Sequence, residues 1–294
     1  MRTGICTTDF EVEGRAPLCA NELLSRIEEL GFDCIQLAFS SLRESEYTPT
    51  GQIEIPDRLP VAAMYAVERY VGRHRLPIEV INGTFNMAHP DAEVRAEGLR
   101  RFEYLAMAAE ALGAKYISLC SGTRNAAHLW TYSPDNDSEE AWNDMLDTVK
   151  RAVEIAELHE VTLAIESEAA NVIDTPENAR RVMDEVGSDS LKMILDCANL
   201  FHVGRAHPEN VRDTIAHAFE LFGNDIVVAH GKDIRECDGI DFCGTGLGIV
   251  DFPYMAHMLK RYGYTGDMFL HGIYDEAYMP TAIEHWRNAV SEEI

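Results

Sequence analysis

The run LKMILDCANLF (191–201) decides the reading of this chain. A short apolar stretch closed by the carboxylate of Asp196 follows the glycine of VGSDS (186–190). The same order of helix end, glycine, polar residues and apolar run recurs in LGFDCIQLAF (30–39), LGAKYISLC (112–120), FGNDIVVAH (222–230) and YGYTGDMFLH (262–271). Glycine just past a helix supplies the left-handed backbone of a C-cap, and a short apolar run after it reads as a buried strand. Similar runs at 4–8, 78–81 and 162–166 bring the strands to eight, each followed by a helix candidate. Two of those helices show a single apolar face: Trp142, Met145, Leu146, Val149, Val153 and Ala156 on one, Leu99, Phe102, Leu105, Ala109 and Leu112 on the other.

Eight βα units with no Pro/Gly/Ser-rich linker predict the α/β class and a closed (β/α)8 TIM barrel, a single domain over 1–294. An open doubly wound sheet is the alternative. No GxGxxG follows the first strand and no GxxxxGK[ST] occurs, which argues against dinucleotide and P-loop sites. The glycine-rich CGTGLG (243–248) lacks the P-loop lysine and reads as a turn leading into a helix that begins near Asp251.

The chain has 294 residues, and such barrels run to roughly 250, so length does not require a second domain. With 46% hydrophobic and 26% charged residues it buries a large core. Fifty acidic against 25 basic side chains give a formal charge of -25, a field that repels nucleic acid and anionic membranes. The opening MRTGICTTDFEVEGR has no apolar stretch of signal-peptide length, and no run approaches the roughly 18 apolar residues of a membrane span, so a cytoplasmic protein is expected. The seven cysteines include no CxxC pair and several lie in apolar runs, where free thiols pack as small hydrophobes.

In such barrels catalytic groups stand at the C-terminal ends of strands. The last four runs end at Glu166, Asp196, His230 and His271, whereas the first four end at neutral or hydroxyl residues such as Thr7, Ser40, Thr84 and Ser121. Acids and histidines number 50 and 11 among 294, about one position in five, so four consecutive hits call for a cause. Two buried carboxylates beside two imidazoles repel unless a cation lies between them. One divalent metal ion resolves this, and mixed nitrogen and oxygen donors suit Mn2+, with Co2+, Fe2+, Zn2+ or Mg2+ as alternatives.

At these residues the sequence resembles the xylose isomerase-like TIM barrel superfamily of sugar phosphate isomerases and epimerases. INGTFNMAHPD, LCSGTRN, AIESEAANV, LDCANLF, AHGKD and FLHGI carry the likeness, in the family's own strand order. The resemblance implies metal ligands at Glu166, Asp196 and His230. Family epimerases usually carry a second glutamate where His271 stands, and often a histidine where Asn199 stands. Glu166 is then the surviving catalytic carboxylate, and His271 is either the fourth ligand or, slightly off the metal, a base.

The expected chemistry is an aldose–ketose isomerisation or epimerisation of a sugar, keto sugar or sugar phosphate through an enediolate. The same intermediate also permits a lyase, a dehydratase or a decarboxylase, and the missing glutamate admits a non-catalytic sugar-binding protein. A DNA endonuclease on a similar barrel needs further histidines and a basic track, both lacking here. Lys232 and Asp233 past strand seven, Arg124 in SGTRN, and Glu168 beside Glu166 are candidate substrate contacts with Asn199. So are Asn86, His89 and Trp130 on the loops after strands three and four, where His128 also lies; Asn171 is a supporting group. The partner is a small sugar, with homo-oligomerisation compatible.

Overall fold

The computed structural model describes residues 1–12, 14–47 and 49–291. Eight parallel strands close into the expected barrel: β1 (Thr3–Cys6), β2 (Cys34–Leu37), β3 (Ile78–Asn82), β4 (Tyr116–Cys120), β5 (Thr162–Glu166), β6 (Leu191–Asp196), β7 (Ile226–His230) and β8 (Met268–Leu270). β1 completes the ring by pairing with both β2 and β8, so Gly4 faces Cys34 on one side and Phe269 on the other. Eight helices alternate with the strands: α1 (Ala20–Glu29), α2 (Val61–Val71), α3 (Ala92–Leu112), α4 (Glu139–Leu158), α5 (Pro176–Val186), α6 (Val211–Phe222), α7 (Phe252–Arg261) and α8 (Met279–Ser291). None of the described helices is long and apolar enough to cross a membrane.

Side chains alternate across a strand, and here that period separates two cores. Cys6, Cys34, Val80, Ala164, Ile194, Val228 and Phe269 fill the lumen, while Ile5, Ile35, Ile81, Ile117, Ile165 and Leu195 pack outward against the helices. Gly4 leaves the space taken by the Phe269 ring, since a Cβ there would lie 2.6 Å from it. Two residues after the lumen layer the same parity delivers Gln36, Asn82, Glu166, Asp196 and His230 to the C-terminal mouth. The functional side chains are thus the top layer of the barrel's own packing.

The C-cap reading holds at Gly31, Gly113, Gly187 and Gly263, all with left-handed φ. It fails at Gly223, whose φ is −55°. That glycine makes room for Tyr262 and Phe219, which a Cβ would meet at 2.6 and 2.9 Å. CGTGLG behaves as expected: α7 starts just after it, with Asp251 accepting from the Tyr254 N–H at 2.9 Å as N-cap. A short hairpin (Asp233–Ile234 with Phe242–Cys243) rises from the end of β7. All seven cysteines are free, five of them buried. At the opposite mouth Arg2 bonds to Asp267 and Glu79, and Lys115 reaches Glu79 at 2.8 Å, tying the starts of β1, β3, β4 and β8.

Candidate functional site

Glu166, Asp196 and His230 are the last residues of three adjacent strands, and Asp196 lies in register opposite His230. Each offers a ligand atom, and those atoms lie within 4.8 Å of one another. His230 Nδ1 is 3.5 Å from Glu166 Oε1 and 3.8 Å from Asp196 Oδ2, too far to satisfy them by hydrogen bonding. Asp196 Oδ1 accepts from the Ala198 N–H at 3.0 Å, but Asp196 Oδ2 and His230 Nδ1 are buried without a hydrogen-bond partner. Such orphans are costly unless a cation takes both lone pairs. Two carboxylate oxygens and one imidazole nitrogen are the donors that borderline divalent metals accept. The residues therefore fit a divalent ion.

A polar chain from the early strands sets which nitrogen of His230 is free. Thr84 and Ser118 hydroxyls both donate to Asn82 Oδ1 at 3.1 Å, so Ser118 Oγ receives the Gln36 Nε2–H at 3.3 Å. Gln36 Oε1 then faces His230 Nε2 at 2.9 Å and accepts its proton. Nδ1 is left with a lone pair, as a metal ligand requires. Gln36, in mid-strand, escapes a reading based on strand ends.

The charges are arranged unequally. Burial pushes the Glu166 carboxyl up, but with no metal bound a protonated His230 together with Lys232 outweighs it and holds it below the ordinary carboxylate range. Burial leaves Asp196 raised despite Lys232. Burial also drives Glu168 up to about 7, with Lys232 opposing and Glu166 and Asp196 adding to the rise. Lys232 donates to Asn199 Oδ1, lies 3.5 Å from Asp196 Oδ2 and rests 4.0 Å from the centre of the Phe242 ring. Asn199 in turn donates to Glu166 Oε1 at 2.6 Å.

His271 stands one residue past β8, and the structure does not bring it into the ligand cluster. Its Nδ1 is held at 3.1 Å by Asp9 Oδ1, and its ring centre is 5.6 Å from that of His230. Burial opposes its protonation, but Cys6 and Asp9 outweigh burial and move its pKa well above the ordinary histidine range. Asp9 is buried in the 3-10 turn Thr7–Phe10 that follows β1. Sequence reasoning missed it because it lies three residues beyond the strand end.

A cavity of about 960 Å3 opens above these groups. Trp130, Glu168 and Lys232 line it, as expected of substrate contacts, and the 39% exposed Trp130 donates its indole N–H to Glu54 at 2.8 Å. Five other candidates stand away from the wall, each held by the scaffold, Asn199 among them between Glu166 and Lys232. Asn86 accepts from the Thr123 N–H and donates to Gln52; His89 Nδ1 accepts from the Asp91 N–H, where α3 begins. Arg124 lies beneath its loop between Asp144 and Glu140 at 2.6 and 3.1 Å. Asp233 binds four backbone N–H groups of its own and the CGTGLG turn. His128 braces the Trp130 N–H, and Asn171 links Gly122 to Leu129. These polar residues satisfy loop backbone that the fold would otherwise bury unpaired.

Residues 24–289 match the model of the xylose isomerase-like TIM barrel. The chain belongs to that family. Within it, the chain is 22% identical over 240 residues to inosose dehydratase of Glaesserella parasuis serovar 5 (strain SH0165), covering 74% of this chain and 78% of the relative. The xylose isomerase-like fold is shared with a D-tagatose 3-epimerase-like protein at TM-score 0.73 and 15% identity, covering 99% of both chains. It is shared too with the IOLI protein, whose crystal structure holds a zinc atom, at TM-score 0.72 and 18% identity, covering 100% of this chain and 99% of that one.

Proposed function

We propose that this chain is a divalent-metal-dependent isomerase or epimerase that moves a proton beside the carbonyl of a sugar, keto sugar or sugar phosphate. The observation that carries the reading is the pair of buried atoms without a hydrogen-bond partner, Asp196 Oδ2 and His230 Nδ1, converging with Glu166 below the cavity. Glu166, Asp196 and His230 hold the ion; Mn2+ is the preferred ion for this donor set, and the zinc of the IOLI structure supports the divalent class. Bound there, the cation supplies Lewis acidity that lowers the cost of negative charge on substrate oxygens.

The protein's own groups divide the proton work. Glu166, held below the ordinary carboxylate range, stays ionised at neutral pH and serves as base. His271, held above its ordinary range by the buried Asp9 carboxylate at 3.1 Å, carries a proton and serves as the acid. Lys232 and Asn199 fix the Glu166 carboxylate from behind, and Trp130 offers an aromatic face to a sugar ring.

A dehydratase is the second reading. Glu168, at about 7, keeps a proton that a departing hydroxyl needs, and the similarity to an inosose dehydratase runs the same way. The test is incubation of the manganese-supplied protein with a panel of keto sugars in deuterated water. Deuterium beside the carbonyl with an isomeric product supports the first reading, and loss of water selects the second. Neither exchange nor product across the panel overturns both.

A further inference from the structure

The cavity is larger than the proposed chemistry needs. Its volume of about 960 Å3 lies at the upper end of the roughly 300–1,000 Å3 that encloses a drug-sized ligand, and one sugar ring fills only a fraction of it. The wall is also divided. Glu166, Asp196 and His230 end β5, β6 and β7. In the closed ring β1 lies opposite β5 and β2 opposite β6, so the loops leaving β1 and β2 face the ligand cluster across the mouth. Those loops supply Phe10, Val12, Leu18 and Tyr47 to the cavity, and Tyr274 joins them from the loop after the neighbouring β8. Phe10 is buried, Leu18 and Tyr47 are half-buried, and Val12 and Tyr274 are exposed, so the apolar wall runs from the interior to solvent.

Exposed apolar groups that continue a cavity wall and are edged by charge mark a ligand groove. The edging charges here are mostly engaged with one another or with hydroxyls. Glu11 Oε1 accepts from Ser40 and Ser41 at 2.8 Å each, Arg26 lies 3.5 Å from Glu276, and Arg15 stands at the exposed rim. One polar atom interrupts the apolar wall. The Tyr47 hydroxyl is buried and has no hydrogen-bond partner among the described residues. Burial, with Glu54 and Glu11 adding to it, pushes that phenol well above its ordinary value, so the hydroxyl keeps its proton and lacks an acceptor. The ether oxygen that joins a sugar to an apolar group is such an acceptor, and it brings no proton of its own.

We infer that the substrate is a glycoside: its sugar part lies over Glu166, Asp196 and His230, and an aromatic or alkyl aglycone packs on Phe10, Val12, Leu18, Tyr47 and Tyr274. The inference rests on the proposed sugar chemistry and names what the sugar carries. Its test is a binding titration of the manganese-supplied protein, followed by NMR, with phenyl β-D-glucopyranoside against methyl β-D-glucopyranoside. The phenyl glycoside is expected to bind at least about tenfold more tightly, as burial of an aromatic ring requires. Val12 and Tyr274 are exposed, so Val12→Asp and Tyr274→Asp leave the fold intact and should each cut that preference by about threefold or more. Tyr47→Phe keeps the ring and should weaken both glycosides about equally, by roughly threefold. Equal affinity for the two glycosides, or no binding of either, overturns the inference. A phenyl preference untouched by both aspartate variants overturns the placement on this wall, and unchanged affinities in Tyr47→Phe overturn the glycosidic contact. Binding is read without turnover, so the two readings fail separately. A silent deuterium panel beside an intact phenyl preference removes the isomerase and the dehydratase and leaves the aglycone site; equal affinities beside an active panel do the reverse.

Discussion

His230 is presented to its neighbours in one orientation because Gln36 receives the proton on Nε2. Partners of this kind typically alter metal affinity 10- to 100-fold. Gln36→Leu should therefore weaken manganese or zinc binding by about that factor in chelator competition, with the fold unchanged by circular dichroism. Affinity equal to the parent's would remove Gln36 from the centre. Glu168 makes a second residue-scale prediction. Its carboxyl sits at about 7 when folded, raised by burial and by Glu166 and Asp196 against the pull of Lys232, and near about 4.3 when unfolded. Between those values the folded protein binds more protons than the unfolded chain, so stability falls as pH rises across the window. Glu168→Gln should flatten that fall in melts of chelator-treated protein from about pH 4.5 to 8 and leave the variant more stable above pH 7, by on the order of 1–3 kcal/mol. An unchanged slope would show that the carboxyl titrates normally.

At the scale of elements, helix capping and the short apolar runs of buried strands were readable from local sequence. Glycine after a helix and an apolar run after glycine are backbone chemistry, and they located five of the eight strands, the other three being read from apolar runs alone. Asp251 belongs to the same class: its side chain caps α7, so Asp251→Ala should cost about 1 kcal/mol in urea denaturation. A cost below the error of that measurement would mean water caps the helix equally well. The site was half legible, for a reason that lies in chain geometry. Glu166, Asp196 and His230 end strands of five or six residues, so the last residue of each run is the one at the mouth. β1 and β8 are short and continue into turns, which carries Asp9 and His271 past the strand ends. The polar loop residues after β3 and β4 misled for a different reason: a sequence reveals that Arg124 or Asn86 is polar, but not that a nearby carboxylate or a buried N–H group already claims it.

Across the whole molecule the surplus of 25 negative charges is a source of self-repulsion. Salt shortens the reach of that field from about 10 Å at 0.1 M to about 3 Å at 1 M. The melting temperature should rise by a few degrees as sodium chloride goes from about 0.02 to 0.5 M, measured by scanning calorimetry. A fall over that range would indicate that the ion pairs, such as those of Arg2 at the barrel floor, outweigh the repulsion.

The seam between β1 and β8 has a consequence for the birth of the protein. Asp9 and His271 are 262 positions apart, and Gly4 finds Phe269 only after synthesis has passed residue 269. At roughly 5–20 residues per second, the first strand waits on the order of ten seconds to a minute with one edge unpaired. An unpaired edge is a template for wrong partners. Until β8 arrives, a nascent chain made past residue 230 holds Glu166, Asp196 and His230 but not the imidazole of His271, and β1 keeps its open edge.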